Sequence, residues 1–118
     1  IYELIRELPP SELGIAYDIR HATVEGGQTW PLEFQLVQSH LNMVFVKDFA
    51  WDGRKVKNVP LGSGMVNPDF FNMMRRANFS GPISLQMEYV DHRDPSLLNE
   101  SLTAIANDMK VLQKWLST

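Results

Sequence analysis

The sequence predicts an α/β fold of parallel strand–helix units that curve toward a closed barrel, and three observations predict it. First, three strand-like runs, LGIAYDI (13–19), LNMVFVK (41–47) and ISLQMEYV (83–90), alternate with helical segments. That order implies crossover connections and a parallel sheet. Second, side chains alternate between the two faces of a strand, and each run has one apolar face and one mixed face. The mixed face ends in an ionisable residue every time: Asp18, Lys47, Glu88. Third, an open sheet covered by helices on both sides favours near-continuous apolar strands. A barrel that keeps polar groups near the C-terminal rim of its strands accommodates the mixed faces better.

The elements follow in order. IYELIREL (1–8) reads as the end of an amphipathic helix, stopped at Pro9-Pro10. After the first strand, RHATVEGGQ reads as a loop hinged at Gly26-Gly27. Trp30-Pro31 opens a helix to about His40. Residues 49–66 follow the second strand and read as a long connection with four charges, one Pro and three Gly; connections of that length are often functional. Asn67-Pro68-Asp69 starts a helix: Asn as cap, Pro in the first turn, Asp near the positive helix end. That helix reaches Ala77 before the third strand. Asp94-Pro95-Ser96 starts the last helix, with Leu98, Leu102, Ile105, Met109, Leu112 and Leu116 on one stripe.

Composition narrows the functions. The 118 residues suit one domain, and 44% apolar with 21% charged residues is ordinary for a globular chain. A net charge of −3 and a pI near 5.5 give no electrostatic footprint for nucleic acid. The absence of Cys excludes disulfides, thiolate metal sites and Cys nucleophiles. No apolar run is long enough for a membrane-spanning helix.

The series YDIRHATVEGG, FVKDFAW, VPLGSGMV and GPISLQMEY, in order from residue 13 to about residue 90, resembles the sugar phosphate isomerase/epimerase family, the xylose isomerase-like TIM barrels. The resemblance implies that the three strands correspond to strands six, seven and eight of an eight-stranded barrel. Residues 1–118 are then expected to form a single partial domain, the C-terminal portion of an incomplete barrel. Such a portion is expected to be catalytically silent alone and to associate as a homo-oligomer through its open sheet edges. A cytoplasmic location is the favoured expectation, and the partner a sugar or sugar phosphate in the complete barrel, with neither nucleic acid nor membrane.

The family holds one divalent metal at the ends of strands five to eight. By resemblance, Asp18 and Glu88 match metal-binding carboxylates, and Glu88 doubles as the acid/base that moves a proton beside the sugar carbonyl. His21 matches a residue that contacts substrate oxygens. The departure lies in Phe45-Val46-Lys47-Asp48, where the family commonly has His in place of Phe45. Phe cannot bind a metal. Lys47, one layer nearer the rim, is expected to project into the site and pair with Asp18 or Glu88, partly replacing the lost charge. A metal held by the remaining oxygens and His21 would be Mg²⁺ or Mn²⁺ rather than Zn²⁺, and the loss of the His equally allows no metal at all.

Blander readings stand beside these. Asp18, Glu88 and Lys47 also fit strand-end charges that only satisfy one another. His21 also fits a loop residue bonded to backbone, and Glu25 a turn residue rather than a substrate contact. Trp51 and Trp30 fit the rim, with sugar stacking assigned to Trp51. Gly62 and Gly64 serve backbone conformation rather than a phosphate cradle, Asp48 is structural, and His40 and His92 are solvated. The two function classes are therefore an isomerase or epimerase, and a non-catalytic barrel piece that binds sugar or drives assembly.

Overall fold

A computed structural model describes all residues 1–118. The strand–helix alternation is present as α1 (Tyr2–Ile5), β1 (Ile15–Asp18), α2 (Ile19–Gly26), α3 (Trp30–Val37), β2 (Leu41–Val46), β3 (Asp48–Asp52), β4 (Lys55–Val59), α4 (Asp69–Arg76), β5 (Ile83–Leu85) and α5 (Leu98–Ser117). The strands β1, β2 and β5 form one parallel sheet with β2 in the centre. Its outer two edges are unpaired, so the sheet is a sector of a barrel and not a closed one.

Register explains which side chains meet. Asp18 lies beside Phe45, and Phe45 beside Ser84, so these three share one row across the sheet. The opposite face carries Val44 and Val46, both fully buried. Helices α3 and α4 cover that face with Phe34, Phe70 and Phe71, also fully buried. Phe70 is the hub: its ring stacks on Tyr17 at 5.5 Å and meets Phe34 and Trp30 edge-on at 5.3 and 6.0 Å. Trp30 is therefore core, not rim.

Two segments expected as loops are regular. IRHATVEG forms α2, because Asp18 caps it: its Oδ1 accepts from the His21 N–H at 3.1 Å. The Thr23 hydroxyl donates back to the Ile19 carbonyl at 2.8 Å. The helix stops at Gly27, whose φ of +55° favours glycine. The first part of the long connection is an antiparallel hairpin, β3 against β4, pairing Asp52 with Lys55 around Gly53-Arg54. A two-residue loop with Gly53 at φ +60° suits such a hairpin.

The rest of the connection is held by Asp48. Its carboxylate, 1% exposed, accepts from the backbone N–H of Phe49, Gly62, Gly64 and Val66 at 2.8 to 3.0 Å. Gly62 sits at φ +85°, and a Cβ on Gly64 would run into the Phe49 carbonyl and the Asp48 carboxylate. The glycines serve backbone shape, as expected, and the N–H groups are spent on the protein's own anion.

Helix α4 begins where the Asn67 side chain accepts from the Asp69 N–H at 2.9 Å. His40 is buried rather than solvated: Nε2 bonds the Leu8 carbonyl at 2.7 Å and Nδ1 the Ser39 hydroxyl at 3.0 Å. Arg75 is exposed but donates to the carbonyls of Trp115 and Leu116, holding the end of α5 against α4. The apolar stripe of α5 exists, yet only Leu112 is buried; Leu98, Leu102, Ile105, Met109 and Leu116 face outward.

Candidate functional site

The site is built where the three parallel strands end. Asp18 closes β1 with extended backbone, φ −104° and ψ 108°, before the chain turns into α2. Lys47 follows β2 and precedes β3, fixed by the sheet on one side and the hairpin on the other. Glu88 lies three residues past β5. The Gln86 N–H, donating to the Val46 carbonyl at 2.9 Å, holds its segment beside β2.

These three side chains converge. The Lys47 ammonium, its side chain 9% exposed, lies 3.1 Å from Glu88 Oε1, 3.3 Å from Glu88 Oε2 and 3.5 Å from Asp18 Oδ2. A cation that far from solvent requires compensating anions, and two carboxylates supply them. His21 stands in the first turn of α2 with Nε2 3.7 Å from Asp18 Oδ2, and Glu25 one turn on, 3.8 Å from His21 Nδ1. Asp18 thus has two jobs, capping α2 through Oδ1 and facing Lys47 and His21 through Oδ2.

Trp51 is half-exposed on β3 and packs edge-on against Phe49 at 5.8 Å. No hydrogen bond or ion pair joins it to the Lys47 group. The register sets it on the hairpin face shared by Phe49, Val56 and Asn58. Asn58 is the residue that sequence reasoning missed. Its Nδ2 lies 3.4 Å from the Glu88 carboxylate and 3.4 Å from the Glu88 carbonyl, while its Oδ1 is buried without a partner. The signal was available in the alternation of KVKNV opposite DFAWD, once the Gly53 turn is read as a hairpin.

A cleft of about 480 Å³ runs along the free edge of β1. Asp18, His21 and Glu25 border it, together with Tyr2, Ile15 and Glu33. Lys47 and Glu88 are not on its walls, so the cleft and the ammonium cluster meet only at Asp18.

The donor set does not fit a divalent cation as it stands. Phe45 occupies the position between Asp18 and Ser84 in the strand row, and no three His, Cys, Asp or Glu residues are arranged to hold a metal. The Lys47 Nζ lies within 3.5 Å of both carboxylates, the place that a cation bridging them would need.

A family model described as xylose isomerase-like TIM barrel matches residues 1–115. The chain belongs to that family. No curated protein matches it. Among solved structures, a xylose isomerase domain protein from Planctomyces limnophilus superposes with a TM-score of 0.74 at 19% identity. The match covers 96% of this chain and 41% of that one. An uncharacterized protein from Parabacteroides distasonis gives a TM-score of 0.51 at 23% identity, covering 96% of this chain and 44% of that one. At such identities the likeness is one of fold. The chain spans about two-fifths of the length of these structures. As a xylose isomerase-like TIM barrel sector, it carries a parallel sheet of three strands.

Proposed function

We propose that the complete barrel containing this chain is a sugar or sugar phosphate isomerase or epimerase that moves a proton on the carbon beside a carbonyl. The observation that carries the reading is the meeting of Lys47 with Glu88 and Asp18 at the ends of three adjacent parallel strands. In this scheme a Glu88 carboxylate oxygen takes the proton from the carbon next to the carbonyl, and the bonding pair shifts to give an enediolate. Lys47 donates a charge-assisted hydrogen bond to the oxygen on which negative charge develops. For isomerisation the proton returns to the former carbonyl carbon while the adjacent hydroxyl proton passes to the oxygen that Lys47 holds. For epimerisation Glu88 keeps its proton, and a second carboxylic acid, supplied by the rest of the barrel on the opposite face, protonates the same carbon. His21 and Glu25, bordering the cleft, bind substrate hydroxyls, and Trp51 offers an aromatic face to the sugar ring.

The Gly62–Gly64 loop offers a phosphate no cradle, because Asp48 already takes the N–H groups of both glycines. The unpaired outer edges of β1 and β5, with the exposed face of α5, support a second proposal: the chain studied alone forms homo-oligomers.

The test is hydrogen exchange in the complete barrel. Incubated in D₂O with a panel of ketoses, aldoses and their phosphates, it is expected to place deuterium beside the carbonyl of at least one substrate, as read by NMR. Glu88→Gln should slow that exchange by roughly 10²- to 10⁴-fold. Exchange that persists unchanged in Glu88→Gln removes Glu88 from the chemistry. No exchange with any sugar, despite saturable sugar binding, favours the non-catalytic barrel.

A further inference from the structure

We infer that Lys47 takes the place of a divalent cation at this rim, so that a built-in ammonium bridges Asp18 and Glu88, offsets one of their two charges and excludes Mg²⁺ and Mn²⁺. The inference concerns the same rim as the proposed function, but its readout is metal binding rather than turnover, so the two fail separately.

Three features of the geometry carry it. The first is occupancy. All four carboxylate oxygens are already engaged: Asp18 Oδ1 by the His21 N–H at 3.1 Å, and Asp18 Oδ2 by Lys47 at 3.5 Å. Glu88 Oε1 receives Lys47 at 3.1 Å, and Oε2 receives Lys47 at 3.3 Å and Asn58 Nδ2 at 3.4 Å. A hard cation needs several of these oxygens in its coordination sphere, and so has to displace the ammonium first.

The second feature is that Lys47 has nowhere cheap to go. Its side chain is 9% exposed, rooted between the end of β2 and the start of the hairpin. Pushed off the carboxylates, it becomes a buried charge with no partner while a doubly charged ion sits within a few ångströms of it.

The third is the row beneath. Phe45, on the same strand face two residues earlier, brings an apolar ring where a third donor would stand, level with Asp18 and Ser84. Phe45 and the ammonium act together: one offers no donor atom and the other occupies the carboxylates that remain. The ligand such a rim accepts is uncharged and rich in hydroxyl and carbonyl oxygens, because Lys47 supplies the one positive group and keeps its position without a dissociable ion.

The experiment is titration of the chain with MnCl₂ alone, followed by electron paramagnetic resonance of free Mn²⁺ and by thermal unfolding. The unsubstituted chain is expected to show no saturable binding up to about 1 mM, the range of weak oxygen-ligand sites. Lys47→Met should bind Mn²⁺ at least about tenfold more tightly and be stabilised by it, because binding to the folded state raises stability. Lys47→Arg, which keeps the charge, should remain without binding. Lys47→Gln provides a second neutral replacement should the Met variant lose its circular dichroism signature. Binding by the unsubstituted chain that disappears in Asp18→Asn overturns the inference. So does a folded Met or Gln variant that binds Mn²⁺ no more tightly than the unsubstituted chain.

Discussion

Asp48 and Lys47 are adjacent, and both are buried ionised side chains, yet they solve the cost of burial differently. Lys47 is matched by the carboxylates of two other side chains. Asp48 is matched by four backbone N–H groups, and this fixes the loop from Phe49 to Val66. Asp48→Ala is expected to orphan those donors and to destabilise the chain by at least about 3 kcal/mol in chemical denaturation, since each unmatched buried group costs roughly 1–3 kcal/mol. A loss under about 1 kcal/mol would show that water replaces the carboxylate readily. The sequence made the pairing of Lys47 with Asp18 and Glu88 legible, because alternation alone aims all three at the mixed face. It hid Asn58, whose relevance depends on a hairpin partner, and the second role of Asp18, which depends on a helix beginning at Ile19.

At the scale of elements, the parallel strands and their intervening helices were legible because their apolar period is local. What escaped was structure that depends on one residue in a special place. Helix α2 has a mean polar sequence and is fixed by the Asp18 cap and by packing of Ile19, which is fully buried. The hairpin β3–β4 hinges on Gly53, which in a run of four charges looks like any flexible loop. The strand run 83–90 is strand only to Leu85, since its partner β2 ends at Val46, the residue paired with Leu85. Helix α5 is tied down by Asp108, which accepts from the Leu61 N–H at 3.0 Å and is 3% exposed. Burial holds its carboxyl above the ordinary range, and the neighbouring Tyr89 phenol, partly buried and facing that carboxylate, is pushed up to about 12.

That shift has a definite sign. The folded chain keeps the Asp108 proton at pH values where the unfolded chain has lost it, so this group lowers stability as pH rises from the ordinary carboxylate range through the raised value. Asp108→Asn keeps an acceptor for Leu61 and removes the titration. Its stability relative to the parent should therefore be greater at pH 7 than at pH 3, by thermal unfolding at both. An equal difference at both pH values would contradict the assignment.

Over the whole molecule, the core lies on one side of the sheet only. Nineteen of 118 residues are buried, and the radius of gyration of 15.3 Å exceeds the roughly 13–14 Å of a compact domain this long. The excess has a physical origin: both sheet edges are unpaired, the face carrying Met43 and Phe45 is only half-buried, and the α5 stripe lacks a partner. Association of the isolated chain is accordingly expected to grow with concentration by light scattering, whereas a strict monomer at all concentrations would mean that the edges protect themselves. No helix is long and apolar enough to cross a membrane. The barrel-sector reading of the sequence holds because its parallel topology and mixed-face rim are properties of the strands themselves. A crystal structure of the complete barrel tests the central claim most directly. The account predicts Lys47 Nζ inside the barrel mouth, hydrogen-bonded to Glu88 and within about 4 Å of Asp18. Lys47 turned out to solvent, with a metal ion bridging the two carboxylates, would contradict it.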